Sequence, residues 1–156
     1  MVFFGFICCT MQLNFPTYNF KTKSEENTNY IFDIVRKKYV VLTPEEWVRQ
    51  HMIHYLVGEK NYPQSLLAVE RGLELNGLRK RFDLLAFNKN GQPHLLVECK
   101  SPDVEISKAV FEQIALYNAK FKVSLLLVTN GLQHITVQYE PDFTNYIFLG
   151  EIPGWG

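Results

Sequence analysis

The sequence predicts an α/β fold in which a central mixed β-sheet is flanked by helices. Three observations point to it. Short apolar runs are separated by turn dipeptides. Two stretches carry apolar residues at helical spacing. The succession strand–helix–strand over 94–128 calls for a parallel crossover. The expected core order is α-β-β-β-α-β. A chain of 156 residues fits one domain, and 47% hydrophobic residues can fill its core. The expected organisation is an N-terminal arm, 1–42, packing on a domain that spans 43–156.

The arm between 11 and 42 is rich in aromatics and charges, with Phe15, Tyr18, Phe20, Tyr30 and Phe32 ahead of Arg36, Lys37 and Lys38. It shows no clear period. Its aromatics read as packing, with stacking on bases as the other use. Val40 to Leu42 is a possible short strand.

Thr43-Pro44-Glu45-Glu46 is a helix start, with Thr43 as N-cap, Pro44 at the first helical position and Glu46 completing a capping box. Val48, Met52, Tyr55 and Leu56 carry the helix to about Gly58. Ser65 to Leu75 and Lys80 to Phe87 read as strands joined by Asn76-Gly77, a hairpin signal. Asn88-Lys89-Asn90-Gly91 is the next turn. His94 to Cys99 is nearly all apolar, as in a strand buried on both faces. Ile106 to Phe121 reads as a helix with Val110, Ile114 and Tyr117 on one stripe. Val123 to Val128 is an apolar strand, and Asn130-Gly131 turns it into His134 to Tyr139.

Net charge is zero, which argues against broad, non-specific phosphate neutralisation but leaves room for a local basic groove. Cys8, Cys9 and Cys99 form no C-x-x-C pair, and the odd count fits a reducing compartment. Met1 to Cys9 is apolar, too short to span a bilayer, and lacks the positive region of a signal peptide. A cytoplasmic protein without membrane partners is expected, with Met1 or Met11 as its start.

The chemistry lies in charges at the ends of apolar strands. Asp83 precedes Leu84-Leu85-Ala86-Phe87, while Glu98 and Lys100 follow Leu95-Leu96-Val97. Unpaired buried charge is costly, so such groups need a purpose or a partner. Glu98 and Lys100 are two apart and share a face, leaving Cys99 to the core. A hairpin brings Asp83 beside Glu98. Two carboxylates and an ammonium suit phosphodiester hydrolysis. Mg²⁺ or Mn²⁺ takes hard oxygen ligands, here Asp83, Glu98 and the Cys99 carbonyl, and lowers the pKa of a bound water. Lys100 then offsets developing charge. The bland alternative is a salt-bridged trio. Glu70 reads as an ion-pair partner of Arg81 across the hairpin, with a role in the site as the lesser alternative.

Asp83 with Glu98-Cys99-Lys100 resembles the PD-(D/E)XK nuclease motif, with Phe82 in place of the proline. The run from Thr43 to Gly131 is similar to the N-terminal nuclease domain of type I restriction enzyme R subunits. Pro44-Glu45-Glu46-Trp47-Val48-Arg49-Gln50, Val97-Glu98-Cys99-Lys100-Ser101-Pro102 and Thr129-Asn130-Gly131 carry the similarity. The resemblance implies a restriction-endonuclease-like fold, Mg²⁺-dependent DNA cleavage, and DNA, other restriction subunits or a second copy as partners. It departs in one respect: the sequence holds no G-x-x-x-x-G-K-[ST] loop, so no translocating motor is expected. The family also places a glutamate of the first helix at the site. Glu45 falls on the face of Val48, Met52 and Leu56 and is preferred to Glu46, with Arg49 one turn on as its pairing partner. Gln113 and Tyr117, one turn apart, resemble a pair that contacts nucleic acid or orients the lysine in related nucleases. The alternative makes Tyr117 core and Gln113 surface. A catalytically inactive fold that binds nucleic acid or a partner subunit is the rival reading, and DNA is not distinguished from RNA.

Overall fold

The computed structural model describes residues 11–156. The expectations for Met1 to Cys9, including Cys8 and Cys9, lie outside the described residues. Among those described, a three-stranded antiparallel sheet is formed by β1 (Thr22–Glu25), β2 (Thr28–Asp33) and β3 (Lys38–Val41). This corrects the picture of a patternless arm, since its second half is a meander and only 11–21 runs as an extended strap. A helix, α1 (Pro44–Gly58), follows. The second sheet has six strands in sequence order: β4 (Leu67–Leu75), β5 (Leu78–Phe87), β6 (Pro93–Cys99), β7 (Leu125–Thr129), β8 (His134–Tyr139) and β9 (Tyr146–Leu149). Helix α2 (Lys108–Asn118) lies between β6 and β7. Only the β6–β7 pair is parallel; the other neighbours are antiparallel, so the sheet is mixed.

The two helices cover opposite faces of this sheet. Leu84, Ala86, Leu95 and Val97 pack with Val48, Met52 and Leu56 of α1. Leu85, Leu96, Leu126 and Val128 pack with Phe111 and Ala115 of α2. The expected α2 stripe of Val110, Ile114 and Tyr117 is displaced: Phe111, Ala115 and Asn118 are buried, and the helix starts at Lys108, capped by Ser107. A 3₁₀ turn, Ala119–Phe121, ends it. Helix α1 is buried on nearly all sides, because the strap lays Phe15, Tyr18 and Phe20 against Trp47, His51, His54 and Tyr55. Thr43 caps it as expected by accepting from the Glu46 N–H, but the Glu46 carboxylate does not return to the cap. It turns to Arg36, Arg49 and Gln50.

Turn chemistry holds where it is most readable. Asn76 and Gly77, both at positive φ, close the β4–β5 hairpin at the Leu75–Leu78 rung. Gly131 has φ +87°, and a Cβ there would lie 2.9 Å from Leu13 and 3.1 Å from Val48. Glycine therefore lets the strap cross the start of α1. The sequence did not point to β9 or to the tail beyond it, where Ile152 is buried and Trp155 donates from its indole to the Phe87 carbonyl. Among the described residues, no helix is long and apolar enough to cross a membrane.

Candidate active site

Strands β4 and β5 change face at one rung. Leu84 and Ala86 face α1, yet Phe82, of the same parity, packs on the α2 side with Leu73 and Leu75. The reversal falls at Glu70 and Asp83, which the pairing register places opposite one another where the ladder is interrupted. Glu70 has φ +47°, a conformation uncommon for a side-chain-bearing residue and costly within a strand. The twist turns both carboxylates toward Arg49 of α1.

Arg49 is the hub. Its Nη2 lies 2.9 Å from Glu45, 3.1 Å from Glu70 and 3.3 Å from Asp83, while its Nη1 pairs closely with Glu46. Arg36 extends the network to Glu46 at 2.6 Å, Asp33 at 2.7 Å and Glu70 at 3.5 Å. Arg81 adds Glu70 at 2.7 Å, the cross-hairpin pair expected from the sequence. Five carboxylates thus meet three guanidinium groups, a formal surplus of two negative charges. The network is also incompletely satisfied, because the Arg49 Nε and Gln50 Oε1 atoms are buried without a partner.

Asp83 sits where the surplus is felt. Its Oδ2 accepts from the Cys99 backbone N–H at 2.9 Å, which ties the middle of β5 to the end of β6. Burial pushes its pKa up to about 6. The Cys99 hydrogen bond and Arg49 oppose that rise, and the charges of Glu98 and Glu45 add to it. The β5–β6 ladder ends at the Leu84–Val97 rung, and Glu98 stands one position past it, at the register position facing Asp83. Its carboxylate pairs closely with Lys80, whose ammonium also donates to Asn118 at 3.0 Å. Lys80 lies 4.9 Å from the Tyr117 ring centroid. Asp83, midway along β5, and Glu98, near the end of β6, are thus register neighbours held by different cations, Arg49 on the α1 side and Lys80 on the α2 side; this corrects the expectation that the two carboxylates turn into one small site.

The remaining candidates fall as follows. The Cys99 side chain is fully buried in the core, which pushes its thiol pKa up and leaves only its backbone to the site. Lys100 lies just past β6, its N–H bonded to the Thr129 carbonyl, and its ammonium makes no ion pair among the described residues. Glu45 is half exposed and shares the Arg49 nitrogen that faces Asp83; Glu46 is buried on the other nitrogen. Gln113 and Tyr117 are both exposed, so Tyr117 is not core, and it reaches Glu98 only through Lys80. The sequence reading passed over Lys80, Asn118, Arg36 and Asp33. Lys80 shares parity with Phe82, which was a legible hint. Arg36 and Asp33 pair locally, three residues apart, but their contacts with Glu46, Gln50 and Glu70 span too much chain to be read.

Among the described residues, no three His, Cys, Asp or Glu side chains stand together as a preformed metal cluster. The donor chemistry nevertheless fits Mg²⁺ or Mn²⁺. The available groups are hard oxygens, the network carries a twofold negative surplus, and burial raises the Asp83 pKa, a rise that a nearby cation would oppose.

Comparison with curated proteins and with solved structures gives no significant match. A family profile does match, over residues 44–153, from the start of α1 to the tail beyond β9. The segment contains Glu45, Asp83, Glu98 and Lys100, and the chain belongs to the family of the type I restriction enzyme R protein N terminus (HSDR_N).

Proposed function

We propose that the protein is a divalent-metal-dependent nuclease acting on DNA, built on a restriction-endonuclease-like core. The observation that supports this reading is the placing of Asp83 and Glu98 at facing register positions of neighbouring strands, with Asp83 accepting from the Cys99 N–H, within a family of restriction enzyme segments. Asp83, Glu98 and the Cys99 carbonyl would hold Mg²⁺ or Mn²⁺, which supplies charge neutralisation at the scissile phosphate and an acidified water.

The protein's own residues supply the rest. Glu45, half exposed at the rim, orients water. Lys100, without an ion-pair partner among the described residues, meets the charge that develops on the phosphate. Arg49 fixes the carboxylates at fixed spacing before substrate arrives. Gln113 and Tyr117 present one exposed helix face to nucleic acid beside Lys80. DNA is the substrate partner under this reading, with other restriction subunits or a second copy of the chain as protein partners. Residues 43–156 form the nuclease unit, and the strap and meander before them pack on it.

The test is cleavage of supercoiled, linear duplex and single-stranded DNA with and without Mg²⁺. Wild type cuts only with metal, and Lys100→Ala binds metal without cutting. Cutting that persists in EDTA, or in Lys100→Ala, rejects the assignment. A second reading has one observation in its favour: Arg49 and Lys80 already occupy the carboxylates, as they would in an inactive nucleic-acid-binding or subunit-binding relative. Absence of any metal uptake in calorimetry selects it.

A further inference from the structure

The outer face of the β1–β3 meander has no role in the site just described. Its inner face buries Ile31 and Asp33, the latter hydrogen-bonded to Gln50 of α1. The outer face carries Tyr30, Phe32, Tyr39 and Val41, with Lys23 on β1 and Lys21 just before it, its carbonyl accepting from the Phe32 N–H. Tyr30 stands opposite Val41, and Phe32 opposite Tyr39 with ring centroids 5.3 Å apart. The Lys23 ammonium lies 4.6 Å from the Tyr39 centroid and 5.6 Å from Tyr30, besides its pair with Glu25. Lys21 lies 5.7 Å from Phe32. Tyr39 and Val41 are exposed, 39% and 50%. Residues 21–41 hold five basic and three acidic side chains in a chain whose net charge is zero.

This face opens onto a groove of about 870 Å³ that runs from Tyr30, Lys38 and Tyr39 to Glu45 and Arg49, the residue that holds Asp83. We propose that the meander is a landing platform for an unpaired DNA strand, which the groove leads to the carboxylate site. The proposal rests on the nuclease reading for its purpose but not for its test. The exposed Tyr39 ring and the half-buried Tyr30 and Phe32, with ammonium groups lying over them, match the bases and phosphates of a single strand, since a base can take the place of an ammonium that then meets the phosphate. In a duplex the base faces are already stacked on one another, and a neutral chain offers it little broad phosphate neutralisation. The meander precedes the family match at 44–153, so it adds a reader to the site rather than a part of it.

The experiment is fluorescence anisotropy in EDTA with a labelled oligothymidylate, a blunt duplex and an oligouridylate of equal length. Wild type binds the oligothymidylate in preference to both. Tyr39→Ala weakens that binding about tenfold, Tyr39→Phe restores it, and Lys21→Ala with Lys23→Ala flattens the salt dependence by roughly one phosphate contact per lysine. Circular dichroism melting confirms that the variants remain folded. Unchanged binding by folded Tyr39→Ala overturns the platform, as does preference for duplex or RNA. Because no metal is present, the two readings fail separately. A protein that binds through Tyr39 but never cuts keeps the platform and loses the nuclease. One that cuts while Tyr39→Ala binds normally does the reverse.

Discussion

Replacing Arg49 with methionine tests the hub directly. Methionine keeps most of the side-chain volume and removes the one guanidinium that contacts Glu45, Glu46, Glu70 and Asp83. Removing one partner of a buried ion pair typically costs about 3–5 kcal/mol, because the other charge is stranded. Glu46 retains Arg36 and Gln50, and Glu45 can turn to solvent, which places the expected loss near the lower figure. A loss of about 3 kcal/mol corresponds to a fall in Tm of roughly 6–12 °C for a chain of this size. The sign with pH follows from the carboxylates. Arg49 lowers the Asp83 pKa, so without it the folded-state value rises further, the folded protein binds more protons than the unfolded chain and stability falls as pH climbs. The deficit against wild type is therefore largest at pH 8 and shrinks toward pH 5. Urea denaturation at both values measures it. A loss below about 1 kcal/mol, or one independent of pH, would refute the placement of Arg49 at the centre of a buried charge network.

Three further outcomes follow from the same geometry. Asp83 ionises in the folded state only near pH 6, against 3.8 unfolded, so its stabilising contribution is complete below pH 4 and lost as pH rises through 6. Asp83→Asn should accordingly gain up to ~3 kcal/mol relative to wild type at pH 8, less what the Arg49 contact contributed, with little change at pH 4. Lys80→Met frees Glu98, puts a methionine beside the Phe82 and Phe121 rings where the ammonium now lies, and should tighten Mn²⁺ binding roughly tenfold by calorimetry. Gly131→Ala meets Leu13 and Val48 at positive φ and should cost about 1–3 kcal/mol in chemical denaturation, whatever the pH.

Much of the site was legible because it rests on local rules. Asn88-Lys89-Asn90-Gly91 forces β5 and β6 into a hairpin, and the apolar runs on either side fix the register that puts Asp83 and Glu98 at facing positions, though their carboxylates turn to different cations. Thr43 and Pro44 likewise mark the start of α1 to the residue. The rest depended on conformations the residue types do not advertise. The β1–β2 turn uses Glu26 and Asn27, and the β2–β3 turn uses Lys37, all at positive φ with no glycine to signal them, so the meander read as a patternless arm. The face reversal at Glu70 follows from one more such residue, and strict alternation through β4 and β5 conceals it. Strand β9 went unseen because Ile147 and Phe148, both exposed, break the expected inward–outward pattern. On α2, alanine and asparagine take buried positions that hydrophobic periodicity assigns to Val110 and Tyr117.

The central claim is that Asp83 and Glu98 jointly hold a divalent cation, and isothermal titration of Mn²⁺ into the apo protein tests it most directly. Wild type should bind one equivalent, with a matching rise in Tm because the unfolded chain has no such site. Asp83→Asn and Glu98→Gln should each lose both the heat and the Tm shift while remaining folded. Equal binding by wild type and Asp83→Asn would place the ion elsewhere and contradict the account.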